Sequence, residues 1–195
     1  MSAHAQTASA TSTIQQMPDV VTLSNPERVQ AKAPKNSTEV AVFFSYTCSH
    51  CGFFSPKLST WEKQQDSSVR IIYLPVSWNS SMIAPQRLFF TLQKLNRLDL
   101  HQRVFADLKD DSDHLSNTSS VLRWAVAQGI PEQEWLDAYT SQEVTQNALQ
   151  AQEAFQRFER SGTPSIVVNG RYVLIQSPNV LKTLDKVIQL EKAHR

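Results

Sequence analysis

The sequence predicts an α/β fold in which a block of helices is inserted between two strand-bearing halves. Three observations carry that expectation. Two apolar runs, around Val40–Phe44 and Val69–Val76, flank a stretch of helical character. Apolar residues then recur at helical spacing from about Trp78 to Arg160. Past Gly162 the strand character returns, as two short runs on either side of Asn169-Gly170.

Composition sets the outer limits. A chain of 195 residues suffices for one well-cored domain with a large insertion. Hydrophobic residues make up 41% and charged residues 19%, as in ordinary globular proteins. A net charge of +1 gives no argument for nucleic acid or a membrane surface as partner. No apolar run approaches the roughly 20 residues of a membrane span. With four glycines in the chain there is neither a phosphate loop nor a dinucleotide fingerprint.

Residues 1–19 read as a flexible tail rich in Ala, Ser, Thr and Gln, with neither a basic nor an apolar leader region. Ala3-His4-Ala5 resembles a signal-peptidase site, which fits a mature form whose export signal has been removed; a plain disordered tail fits as well. Residues 20–77 form the first half. Val20–Leu23 is a short edge strand, and Asn25–Ser37, with Pro26 and Pro34, is a connection. Glu39–Tyr46 carries a continuous apolar run, Val40–Phe44, the mark of a strand buried on both faces. A helix follows from about Ser49 to Gln65, interrupted by Pro56, and then a second buried strand over Val69–Val76. That βαβ order predicts parallel strands.

Residues 78–160 form the helical insertion. Leu88, Leu92 and Leu95 mark one helix. Val121–Gln128 is another, stopped by Gly129, and Pro131 begins the next at its tolerated first position. Val144, Ala148, Ala151, Phe155 and Phe158 give the longest one. Residues 161–195 hold the second half: Ser165–Val168 and Tyr172–Ile175 joined by the Asn169-Gly170 hairpin turn, then a helix capped by Ser177-Pro178.

The chemistry sits in Cys48-Ser49-His50-Cys51. These are the only two cysteines, so no thiol is left for a structural disulfide, and a four-cysteine zinc site within the chain is excluded. A C-x-x-C alone can be half a metal site or a redox pair. Its place between a buried strand and a helix favours redox. Cys48 then lies at the positive helix end, where amide donors stabilise a thiolate, and Ser49 and His50 add a hydroxyl and an imidazole. Such settings bring a thiol pKa from about 8.5 into a range of roughly 3.5–7.5, which favours the reduced form and makes the disulfide oxidising. Cys48 is thus the expected nucleophile and leaving group, His50 its tuner, and Cys51 the more buried resolving thiol. No metal and no cofactor are expected.

Thr163-Pro164 gives a second, remote signal, 116 residues beyond Cys48. A proline opening a strand is usually trans, but beside a C-x-x-C a cis bond would present the backbone for substrate pairing. Ser49, Thr163 and Pro164 are therefore the expected substrate-binding residues.

Strand-C-x-x-C-helix, a helical insertion, then X-Pro-strand-hairpin-helix resembles the DsbA-like branch of the thioredoxin fold. The resemblance is densest in Phe43-Phe44-Ser45 through Cys51 and in Gly162-Thr163-Pro164 through Tyr172. It implies a thioredoxin fold with an inserted helical domain, and a periplasmic monomer that oxidises unfolded or reduced exported proteins and is regenerated by a DsbB-like membrane quinone reductase. A reductase or isomerase on the same fold, or a metal-binding C-x-x-C module, are the alternatives. Three positions depart from the family pattern. Ser49 stands where proline is common, Val42 where DsbA carries a buried glutamate, and Thr163 where the best-known DsbA has valine. No lysine in Val69–Val76 is present to partner such an acid, so proton transfer at Cys51 requires water or another group.

Among the remaining polar features, Asp110, Asp111, Asp113 and His114 lack the pattern of a calcium loop and read as a solvated acidic loop. Asn36, Asn79 and Asn117 open N-x-[ST] triplets of the kind frequent by chance.

Overall fold

The computed structural model describes residues 13–29, 34, 36–109, 111, 114–158 and 162–193. Ala3-His4-Ala5, Asp110 and Asp113 lie outside the described residues. Five strands form one sheet in the order β1-β5-β4-β2-β3, with β1 Val20–Thr22, β2 Thr38–Phe44, β3 Val69–Pro75, β4 Ser165–Val168 and β5 Tyr172–Leu174. Seven helices of eight or more residues accompany it among the described residues: α1 Ser49–Glu62, α2 Ile83–Lys94, α3 His101–Leu108, α4 Thr118–Ala127, α5 Glu132–Tyr139, α6 Gln142–Arg157 and α7 Val180–Ala193.

The chain divides into two compact units and passes between them within β2, α1 and β3. The first takes the described residues of Met1–Val42, Leu58–Tyr73 and Arg160–Arg195. In it, β5 pairs antiparallel with both β1 and β4, with Val167 opposite Val173. Its core collects Val40, Ile166, Val168, Leu174, Leu184 and Val187. The end of α1 is tied to α7 where Trp61 Nε1–H donates to Asp185 Oδ1 at 2.7 Å. Ahead of β1, in the segment read as tail, a short helical turn starting at Thr13 places Ile14 among the fully buried side chains.

The hairpin turn of this unit is tightly specified. Asn169 and Gly170 both take positive φ, 51° and 61°, as the Asn-Gly pair demands. The Asn169 side chain then acts as a hub. Its Oδ1 accepts from Arg28 Nη2 at 3.0 Å and from the Glu39 N–H at 2.9 Å, and its Nδ2 donates to Glu191. A Cβ on Gly170 would lie 1.9 Å from the Glu27 carbonyl oxygen, so the close pass of that segment requires glycine.

The second unit holds Phe43–Lys57 and the described residues of Leu74–Glu159. Leu88, Leu92, Val121, Trp135 and Val144 are fully buried in it. Buried Gln86 has its polar atoms matched, donating to the carbonyls of Pro75 and Ala148 and accepting from Ser77 Oγ. Ser141 caps α6. Asn117 caps α4 in a reciprocal capping box with Ser120, a role its N-x-[ST] context disguised.

Three local expectations are corrected. β3 is half exposed: Arg70 is open to solvent and Ile71–Tyr73 are intermediate, because β3 ends the sheet instead of lying inside it. Pro131 is the N-cap of α5, with ψ 136°, one position earlier than expected. α3 had no helix of its own in the sequence reading, although it brings Val104, Phe105 and Leu108 into the core.

Candidate active site

β2 delivers the chain to the motif through a short hydroxyl-braced turn. The Thr47 N–H donates to Ser45 Oγ at 3.3 Å, the two hydroxyls lie 3.0 Å apart, and the Cys48 N–H donates to the Ser45 carbonyl at 3.1 Å. These bonds fix Cys48 immediately before α1, whose first turn closes with Gly52 N–H donating to the Cys48 carbonyl at 3.1 Å. Cys48 is partly accessible and Cys51 only 2% exposed. The Cys51 N–H points at Cys48 Sγ at 3.4 Å, the geometry in which a helix-terminal amide stabilises a thiolate. Ser49 and His50 are exposed on the first turn.

Thr163 and Pro164 lie in the other unit at the start of β4. The peptide bond between them is cis, and Ser165 Oγ–H donates to the Gly162 carbonyl at 2.7 Å.

The sequence reading missed a polar cluster beside the motif. Tyr46 Oη lies 2.7 Å from His101 Nδ1, Ser55 Oγ lies 3.3 Å from His101 Nε2, and Gln102 Nε2 donates to Ser55 Oγ at 2.8 Å. Phe44, Phe89 and Phe105 surround the His101 ring edge-on or tilted, with centroids 5.2–5.6 Å away. Desolvation among these rings lowers the His101 pKa from 6.5 to about 4, and burial raises that of Tyr46. The one sequence signal was Ser55, four residues after Cys51 and hence on its helix face. Nothing local announces His101, 46 residues from Ser55.

On another side of α1 a cavity of about 340 Å³ is bounded by Ser49, Gly52, Phe53, Pro56, Phe105 and Lys109, among others. Phe53 is 66% exposed at its rim. Among the described residues no group of three or more His, Cys, Asp or Glu side chains is placed to hold a metal.

Comparison with known proteins gives the family. The family model described as Thioredoxin matches residues 27–189. The thiol:disulfide interchange protein DsbA of Bordetella pertussis is 34% identical over 138 residues, which cover 69% of this chain and 65% of that protein. The crystal structure of the oxidoreductase DsbA from Xylella fastidiosa matches with a TM-score of 0.81 at 23% identity, covering 90% of this chain and 96% of that one. Reduced DsbA1 from Neisseria meningitidis matches with a TM-score of 0.75 at 25% identity, covering 90% and 96%. The chain belongs to the thioredoxin family, and its fold is the DsbA-like one, a thioredoxin fold with a helical insertion.

Proposed function

We propose that this DsbA-like member of the thioredoxin family is a thiol:disulfide oxidase that introduces disulfide bonds into reduced exported proteins in the periplasm. The observation that carries the reading is the asymmetry of the pair: an accessible Cys48 facing a helix-terminal amide at 3.4 Å, and a buried Cys51 one turn on.

In the oxidised protein, a substrate thiolate attacks Cys48 Sγ, the Cys48–Cys51 bond breaks, and Cys51 takes the electron pair. A second substrate thiolate then attacks the substrate sulfur of the mixed disulfide, and Cys48 leaves as a thiolate. The helix terminus makes Cys48 a good leaving group in that second step. The substrate leaves with a disulfide, and its two electrons remain on the dithiol until a DsbB-like membrane quinone reductase removes them. His50 tunes Cys48, and Ser49, Thr163 and Pro164 bind the substrate chain, roles that the family resemblance supports. The apolar cavity beside Phe53 accepts a substrate side chain with little regard to sequence, as loose specificity requires. The protein acts as a monomer. Among the described residues no helix is long and apolar enough to cross a membrane.

Redox titration against glutathione tests the direction of electron flow. A potential well above the roughly −270 mV of thioredoxin is expected. A value at that level would overturn the oxidase role and leave a reductase. Stoichiometric zinc on the purified protein, with both thiols protected, would overturn the redox reading and leave a metal-binding module.

A further inference from the structure

Opening the Cys48–Cys51 disulfide puts a full negative charge on a sulfur that is 2% exposed. A charge formed there needs a hydrogen-bond donor.

The cluster around His101 contains such a donor, and its direction can be worked out. The hydroxyl of Tyr46 is buried and keeps its proton, and its hydrogen bond is the one to His101 Nδ1. Tyr46 therefore donates and Nδ1 accepts, which leaves the imidazole proton on Nε2, where it donates to Ser55 Oγ. Gln102 Nε2 donates to the same oxygen. A serine hydroxyl has two acceptor positions and one proton. With both positions filled, the Ser55 proton is left to donate elsewhere. On a helix, side chains lean toward the N-terminus, and residues i and i+4 lie on one face, one above the other. Cys51 and Ser55 stand in that relation, one turn apart on α1.

The geometry points to Ser55 as the group that receives the charge at Cys51: its hydroxyl donates to the Cys51 sulfur as the disulfide opens, aimed by His101 and Gln102 as positioning residues. The inference rests on the dithiol–disulfide exchange proposed above and adds no reactant to it. The bond between Cys48 and substrate forms, the Cys48–Cys51 bond breaks, the electron pair goes to Cys51 Sγ, and water later supplies the proton. His101 is not itself the base. Its pKa of about 4 lies far below the roughly 8.5 of a thiol, so it stays neutral and works by orientation. Two donors feeding one hydroxyl also polarise its O–H bond.

The test is the rate at which dithiothreitol reduces the oxidised protein at fixed pH, with the reverse rate and the equilibrium constant measured on the same samples. A hydrogen bond to a charged sulfur corresponds to roughly a tenfold rate effect or more. Ser55→Ala is expected to slow reduction and re-oxidation by the same factor of about ten. The equilibrium should stay put, because the charge exists only while the disulfide opens or closes. Ser55→Thr, which keeps the hydroxyl, should restore both rates to within about twofold. Gln102→Ala, at an exposed position, should show the same pattern at about threefold and serves if Ser55→Ala does not fold. Unchanged rates, or a change in only one of the two rates with a matching shift in the equilibrium, would overturn the role of Ser55. A wild-type protein that forms no exchangeable Cys48–Cys51 disulfide would instead sink the oxidoreductase reading, so the two failures are distinguishable.

Discussion

Each compact unit contains a polar cluster that joins distant parts of the sequence, and the two clusters are built differently. Around Asn169 the members are charged or backbone groups, namely Arg28, Glu191 and the Glu39 amide, and they fix the hairpin turn. Around His101 the hydroxyls of Tyr46 and Ser55 and the Gln102 amide are neutral, and Tyr46 and Ser55 bracket the two cysteines in sequence. A charged cluster on a turn with obligatory positive φ specifies a backbone path. A neutral cluster of hydroxyls and an imidazole leaves a proton to be placed, which is what a reacting sulfur requires. Polar interiors can serve register or chemistry, and the charge state of the members tells which.

Substitutions can break this contrast, and the largest expected effect is at the turn. Gly170→Ala would drive a methyl group against the Glu27 carbonyl at positive φ, at a cost on the order of 3 kcal/mol by denaturant melt. Thiol exchange by the remaining folded protein should keep its wild-type rate; a changed rate would mean that the hairpin cluster also serves chemistry.

His101 makes a prediction of similar size in pH. Its native pKa of about 4 is below the roughly 6.5 of the unfolded chain, so between those values the unfolded state binds the extra proton. Stability from this group is therefore present above about pH 6.5 and is lost as pH falls to about 4, by on the order of 3 kcal/mol. His101→Leu should flatten that part of the pH–stability curve. An unchanged slope would show that the ring does not titrate with folding.

Smaller still is Asn117→Ala, which removes the capping box of α4 and should cost about 1 kcal/mol without affecting exchange. It calibrates what an ordinary polar deletion does in the same unit as His101.

Much of this was legible from residues 38–51 and 162–175, where local pattern and final structure agree. Continuous apolarity made β2 visible, and Asn169-Gly170 has few conformations open to it. The buried center of the helical unit showed as spacing at Leu88, Leu92, Val144 and Ala148. Burial of β3 was overestimated because an apolar run does not say whether a neighbour lies on each side. His101 was invisible because its meaning comes from Tyr46 and Ser55, 55 and 46 residues away, and a lone histidine in a polar stretch carries no pattern.

Gly52 has one more consequence. It sits inside α1, where glycine is worse than alanine by about 1 kcal/mol, and an added Cβ would meet the Phe105 side chain at 3.4 to 3.9 Å, van der Waals contact. The missing methyl group instead leaves the wall of the cavity next to Ser49 open. Gly52→Ala should therefore give a protein that melts higher and turns over bulky substrates more slowly, while small thiols react as before. The helix that carries Cys51 is thus less stable than its neighbours would allow, and the open cavity wall beside Ser49 is what that lower stability maintains.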